Sequence, residues 1–257
     1  MTEAGNTAPT SRSRGWVKAV TDIAIVLLVV TAAKSTLAEP YYVPSGSMEP
    51  TLLIGDELLA VKYPYGYGTA SLPASFAVPA SGRLFGALPE RGDVVVFRWP
   101  GDPTQIWVKR VIGLPGDRIA LRDGQVFING EPAQLKPDGT GEMKDSDGNV
   151  TMAARYSETL PGGRSHAIYK FRSAGMFDNM DEITVPAGDL FVMGDNRDDS
   201  ADSRVPLRSG GVGLLPAANL VGRVDALVGS WDMTIRDKPV WEWPSGLRLS
   251  RFFSSVN

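Results

Sequence analysis

The chain of 257 residues has no cysteine and a single histidine, His166. The missing cysteines exclude disulfides, thiolate metal sites and a cysteine nucleophile, though they do not identify a compartment. One histidine without cysteine leaves little from which to build a zinc centre, so no metal or cofactor is expected. A Ser-His-Asp triad would need that one histidine. His166 closes the turn-rich stretch Leu160-Pro161-Gly162-Gly163-Arg164-Ser165-His166, with no carboxylate arranged beside it, and reads as a surface loop group. Walker and dinucleotide glycine motifs are absent, as are internal repeats. A net charge of -3 gives no basic excess for nucleic acid. A hydrophobic content of 43% is that of a folding chain, long enough for one large or two modest domains.

Long apolar runs are scarce too. One stretch approaches spanning length, between Trp16 and Leu37. Val17 to Leu37 is about 21 residues, roughly 31 Å as a helix, enough to cross a bilayer if Lys18 and Lys34 snorkel. Arg12, Arg14 and Lys18 lie before or at its start and only Lys34 follows closely, which puts the N-terminus in the cytoplasm and the remainder outside. A cleavable signal peptide with a poor site at Thr36-Leu37-Ala38 and a buried core helix are the rival readings. The expected layout is a cytoplasmic tail (1–15), a single membrane anchor (16–37), an extracytoplasmic β domain (38–133 and 183–257) and an inserted subdomain (134–182).

Past the anchor the pattern is β. Leu58–Val61, Arg91–Trp99, Ile106–Ile112, Glu182–Val185, Asp189–Met193 and Val221–Val228 read as strands. Arg118–Leu121 and Gln125–Ile128 flank Arg122-Asp123-Gly124, a hairpin signal. Residues 64–90 are rich in Gly, Pro and Ser and suggest a long loop. Residues 134–182 are polar with little periodicity. The fold expected from this pattern is mainly β.

Three stretches carry chemistry. In Pro44-Ser45-Gly46-Ser47-Met48-Glu49-Pro50-Thr51-Leu52 the two prolines fix φ and Gly46 permits a close backbone approach, which holds a serine hydroxyl on a rigid turn. An ordinary Pro/Gly loop is the competing reading. With histidine set aside, a lysine base is the remaining solution. The run Gln105-Ile106-Trp107-Val108-Lys109-Arg110-Val111-Ile112-Gly113 places Trp107, Lys109 and Val111 on one face by alternation. An unperturbed lysine amine near 10.4 is neutral in only about one part in 2,500 at pH 7, roughly 4.6 kcal/mol from useful. Burial shifts of about 3–5 units would supply this. A surface lysine on an edge strand stays open as an alternative. The third stretch, Met193-Gly194-Asp195-Asn196-Arg197-Asp198-Asp199-Ser200-Ala201-Asp202-Ser203-Arg204, is a polar loop after a hydrophobic strand. Calcium competes as an explanation, but Arg197 and Arg204 oppose a cation cage and the spacing is not that of an EF-hand.

Together with Arg91-Gly92-Asp93-Val94-Val95-Val96-Phe97, these stretches resemble, in content and order, the signature boxes of bacterial type I signal peptidases. The resemblance covers roughly residues 20–230 and implies a catalytic core of coiled antiparallel sheets, with an inserted smaller β subdomain and one N-terminal transmembrane helix. It implies Ser47 as nucleophile and Lys109 as general base. It implies Ser45, with the Ser47 backbone N–H, as oxyanion donors and Ser200 as the group orienting Lys109. Asp202 with Arg204, and Arg110 with Asp195, would be rigidifying ion pairs. Val43, Pro44, Leu52 and Val108 would line pockets for small substrate side chains. The implied partners are exported preproteins and the cytoplasmic membrane, for a monomer. Glu49 and Asp199 depart from the family pattern; Asn is common where Asp199 stands. Two alternatives remain: a dedicated Ser-Lys maturation peptidase for one exported substrate, and a non-enzymatic assembly protein on the same fold.

Overall fold

The computed structural model describes residues 12–71, 83–144, 149–171 and 175–256. Helix α1 spans Arg12–Thr36. It begins within the stretch expected as tail, of which 1–11 lies outside the described residues, as does 72–82 of the Gly/Pro/Ser-rich stretch. From Gly15 to Val30 every residue of α1 is exposed, with Trp16 at 63% and Leu28 at 70%, so no face of that apolar stretch packs on protein. Among the described residues, no helix is long and apolar enough to cross a membrane.

The remainder is mainly β. The strands are β1 (Ala38–Tyr42), β2 (Asp56–Val61), β3 (Val94–Arg98), β4 (Ile106–Gly113), β5 (Arg118–Arg122), β6 (Gln125–Ile128) and β7 (Glu131–Pro132). They continue as β8 (Gln134–Lys144), β9 (Val150–Thr159), β10 (Ser165–Lys170), β11 (Met180–Thr184), β12 (Asp189–Met193), β13 (Leu215–Pro216) and β14 (Leu220–Ser230). One antiparallel sheet runs β1-β2-β14-β3-β4-β12-β13, a second β10-β9-β8 and a third β11-β5-β6-β7.

The first sheet is buried on both faces at its centre. Val94 and Val96 of β3 join Met48, Leu52 and Leu58 in one core cluster, while Val95 and Phe97 join Val111 and Val192 in another. This explains the unbroken apolar run in β3, where a half-exposed strand would alternate. Edge strand β1 tolerates Pro40 because a proline removes only an outward donor there. The β5–β6 turn has Asp123 at φ 51° and Gly124 at φ 78°, the twin positive values that a two-residue hairpin demands. Asn129-Gly130 repeats the device between β6 and β7.

Two regions carry more structure than their local sequence pattern showed. Residues 134–170 form three long strands where little periodicity was visible. Their sheet is half-exposed and mixed on both faces, so the burial pattern of β9 never settles into alternation. The C-terminal stretch, polar by composition, is a buttress. Arg251 binds Asp56 (2.6 Å) and the carbonyl of Thr51 (2.9 Å), and Arg248 binds the carbonyl of Ile54 (2.9 Å). These bonds brace the loop that follows Ser47 from behind.

Candidate active site

Ser47 sits in a 3-10 turn, Gly46–Met48. Met48 and Leu52 are fully buried, and the Leu52 N–H donates to the Met48 carbonyl at 2.9 Å. The turn is thus pinned by core packing on its far side. From the other direction the loop after β12 clamps it. The Asn196 backbone N–H donates to the Ser47 carbonyl and its Nδ2 donates to the Gly46 carbonyl, each at 3.2 Å. Gly194 makes this approach possible, because a Cβ there would lie 2.4 Å from the Ser47 carbonyl oxygen and 2.3 Å from Ser200 Oγ.

Lys109 lies on β4, paired on both sides by β3 and β12 in this sheet order, and is only 4% exposed. The edge-strand alternative is thereby excluded. Its Nζ donates to Ser47 Oγ at 2.7 Å and to the Val108 carbonyl at 3.1 Å, and lies 5.7 Å from the Trp107 ring centre. Burial lowers its basicity from 10.5 to about 8, although Asp202 and Asp195 pull the other way. At pH 7 the free amine is then about one part in ten, against one in thousands for a solvated lysine. Ser45 Oγ stands 3.4 Å from Ser47 Oγ. Such an arrangement permits proton transfer from hydroxyl to amine.

Next to this under-charged pair lies a dense ionic cluster. Arg110, fully buried, makes a fork to Asp195 at 2.8 and 2.7 Å. Asp195 also accepts from Thr51 Oγ1 at 2.5 Å, which ties the cluster to the nucleophile's own loop. Burial would raise the Asp195 carboxyl, but Arg110 holds it below its ordinary value. Asp202 and Arg204 pair at 2.9 and 2.8 Å, and Asp202 also accepts from the Gly194 N–H at 3.0 Å. Arg197 grips Glu158 of β9, one bond being 2.8 Å.

His166 requires a correction. It is not a surface group; it is 6% exposed and lies between carboxylates. Its Nε2 is 3.2 Å from Glu158 and 3.8 Å from Asp195, close enough to pair with either carboxylate though not well aligned for a hydrogen bond. The turn Leu160–Arg164 folds β10 back on β9, so His166 faces Glu158 across the hairpin register. That partner is eight residues away in sequence, beyond a local search. Burial and Arg110 hold the imidazole below its usual 6.5.

Ser200 Oγ is buried and has no hydrogen-bond partner, so the expected bond to Lys109 is not formed. A cleft of about 540 Å³ opens at Ser47 and Lys109. Pro44 and Val108 line it, whereas Val43 and Leu52 lie in the core cluster behind. Tyr42 and Ile106 add apolar wall that no sequence motif singled out, and Trp107 lines the cleft beside Lys109, on the face where alternation put it. Thr51 and Asn196 were also passed over as site residues. Their only signal was membership of the two motifs, since their roles depend on contacts between segments more than 140 residues apart.

A buried serine hydroxyl bonded to an amine of lowered basicity, at an apolar cleft in a β scaffold, defines a serine peptidase. The chain belongs to the family described as signal peptidase, peptidase S26, whose pattern matches residues 14–231, and it is a serine endopeptidase. It is similar to the signal peptidase I of Rickettsia akari, with 34% identity over 270 residues, 98% of this chain and 95% of that one. With that of Rickettsia typhi it shares 35% over 250 residues, 90% of each. A solved signal peptidase I from Enterococcus faecalis V583 is 27% identical and covers 54% of this chain and 97% of its own, with a TM-score of 0.31. Family membership rests on the sequence matches.

Proposed function

We propose that this chain removes signal peptides from exported preproteins, with Ser47 as nucleophile and Lys109 as general base. Neutral Lys109 Nζ takes the Ser47 Oγ proton while Oγ bonds to the scissile carbonyl carbon. Ser45 Oγ–H and the Ser47 N–H donate to the resulting oxyanion, worth about 3–4 kcal/mol of barrier. The ammonium returns its proton to the leaving nitrogen as the C–N bond breaks, which leaves an ester on Ser47. Lys109 then deprotonates a water that attacks the ester, and Ser47 recovers its proton as the signal peptide departs with a new carboxylate. The substrate segment enters extended, its small side chains against Pro44 and Val108, with Val43 and Leu52 shaping those walls from behind.

Although α1 by its own apolarity falls short of a membrane-crossing helix, residues 16–37 anchor this monomer in the cytoplasmic membrane with the N-terminus inside. The fully exposed apolar stretch of α1 and the basic residues before it support that topology. The catalytic part, 38–133 and 183–257, works outside, and 134–182 is an inserted subdomain.

The observation that carries the reading is the 2.7 Å bond from buried Lys109 to Ser47. The test is cleavage of a secreted preprotein in detergent by wild type, Ser47→Ala and Lys109→Ala, with mass spectrometry of the product. Wild type alone should cut, after a small-x-small sequence. Cleavage by Lys109→Ala would sink the dyad, and a wild type active on one exported protein only would favour the maturation peptidase.

A further inference from the structure

The cleft beside Ser47 carries two charged residues, Lys109 and Asp199. Lys109 is buried and is assigned to the chemistry. Asp199 is exposed.

The other acids of its loop are held by the protein. Asp195 is committed to Arg110 and Thr51. Asp198 accepts from the Phe171 N–H at 2.8 Å. Asp202 is committed to Arg204 and Gly194. The Asp199 backbone N–H bonds to the Asn196 carbonyl at 3.3 Å, which fixes the turn, but its carboxylate has no hydrogen bond or ion pair among the described residues. The neighbouring arginines, Arg197 and Arg204, are engaged with Glu158 and Asp202. A carboxylate without a bonded partner therefore borders a mostly apolar cleft.

We propose that Asp199 is a specificity-determining residue that favours preproteins carrying a lysine or arginine side chain close to the scissile bond. This rests on the reading of the cleft as the preprotein site and adds a charge preference to it. A cation arriving in the cleft meets a carboxylate that need not break an existing bond, so pairing is not offset by a lost partner. The apolar walls lower the local dielectric and strengthen the attraction relative to open solvent. The preference is a difference between substrates and does not depend on how fast either is cut.

The test uses the full chain in detergent, wild type and Asp199→Asn. The probes are one preprotein and its variants with lysine or alanine at each position flanking the cut. The readout is the lysine-to-alanine ratio of kcat/KM at each position. Any effect that Asp199 exerts through Lys109 falls on both substrates and cancels in the ratio. Wild type should favour lysine at one or more positions by about two- to five-fold more than Asp199→Asn does, and the excess should fade with salt. Equal ratios for both enzymes at every position would overturn the inference while leaving the peptidase reading intact. If wild type cuts none of the substrates, both fall together. An excess that survives high salt would also overturn it, since an exposed ion pair must be screened.

Discussion

Lys109 and Arg110 are neighbours on one strand, both basic and both buried, and their surroundings are opposite. Arg110 is matched by the Asp195 carboxylate and the Gly92 carbonyl. Lys109 has only a hydroxyl and a carbonyl as bonded partners, with Asp195 and Asp202 at longer range. A guanidinium keeps its proton under any of these conditions, so the fold must supply it with an anion. A primary amine can surrender its proton, so the same burial without a bonded anion creates a base. One β-strand thus holds a structural cation and a chemical amine side by side, separated by partner choice alone.

The largest expected effect comes from removing the amine. Lys109→Met should lower cleavage by about a thousand-fold or more, with stability unchanged or raised, because a buried amine is replaced by an apolar side chain of similar length. In wild type, kcat/KM should rise with pH and level off above about 8, where Lys109 has lost its proton. Activity in the Met variant, or a plateau already reached well below 7, would contradict the dyad.

Breaking the other half of the comparison should act on folding instead. Asp195→Asn leaves Arg110 buried without its counter-ion and should cost about 3–5 kcal/mol by urea denaturation. The molecules that remain folded should still cleave. If the variant kept full stability and lost only activity, Asp195 would belong to the chemistry and the contrast between the two neighbours would collapse.

How far the site was legible in the sequence follows the range of the contacts that define it. The motif at 44–52 and the apolar run around Lys109 stood out because turn chemistry and strand alternation are local, yet each left a bland reading open, and it was the resemblance of the stretches in series that paired Ser47 with Lys109. The strands from Val94 to Ile128 were visible likewise. His166 was misread because its carboxylates arrive through the β9–β10 register and the loop after β12. Tyr42 was not singled out as a wall, since an aromatic beside a cleft and one in a core share the same alternation. The three strands of 134–170 were hidden by a sheet that buries neither face consistently.

His166 offers a smaller test. Its imidazole is held below 6.5 in the fold, so the unfolded chain binds the extra proton more readily. That contribution to stability is complete above pH 6.5 and is lost as pH falls below it, by up to about 1.4 kcal/mol per pH unit. Denaturation of His166→Gln across pH 5 to 8 should show a shallower acid loss than wild type. Parallel curves would mean that folding does not shift the imidazole, and a wild type that loses stability relative to the variant as pH rises past 6.5 would mean that it stays charged among Glu158, Asp195, Arg110 and Arg197.

Glu49 sharpens the comparison from the opposite sign and with the smallest effect. Its carboxyl packs on Gly46, directly behind the nucleophile's turn, and is 3% exposed. Burial raises it from 4.5 to about 7, with Arg248 and Arg251 opposing and Asp199 and Asp56 reinforcing. A raised carboxyl stabilises the fold below its unfolded value and loses that contribution as pH climbs through 7. Glu49→Gln should therefore match wild type near pH 5 and exceed it at pH 8 by about 1 kcal/mol, less than full linkage because Arg248 and Arg251 lose a partial counter-charge. The contrast with His166 is diagnostic: one variant should flatten the acid side of the stability curve and the other the neutral side. If Glu49→Gln is instead destabilised at pH 8, the carboxylate is serving the two arginines as a true ion partner. The site would then tolerate a charge behind Ser47 by pairing it, as it does for Arg110, and not by neutralising it, as it does for Lys109.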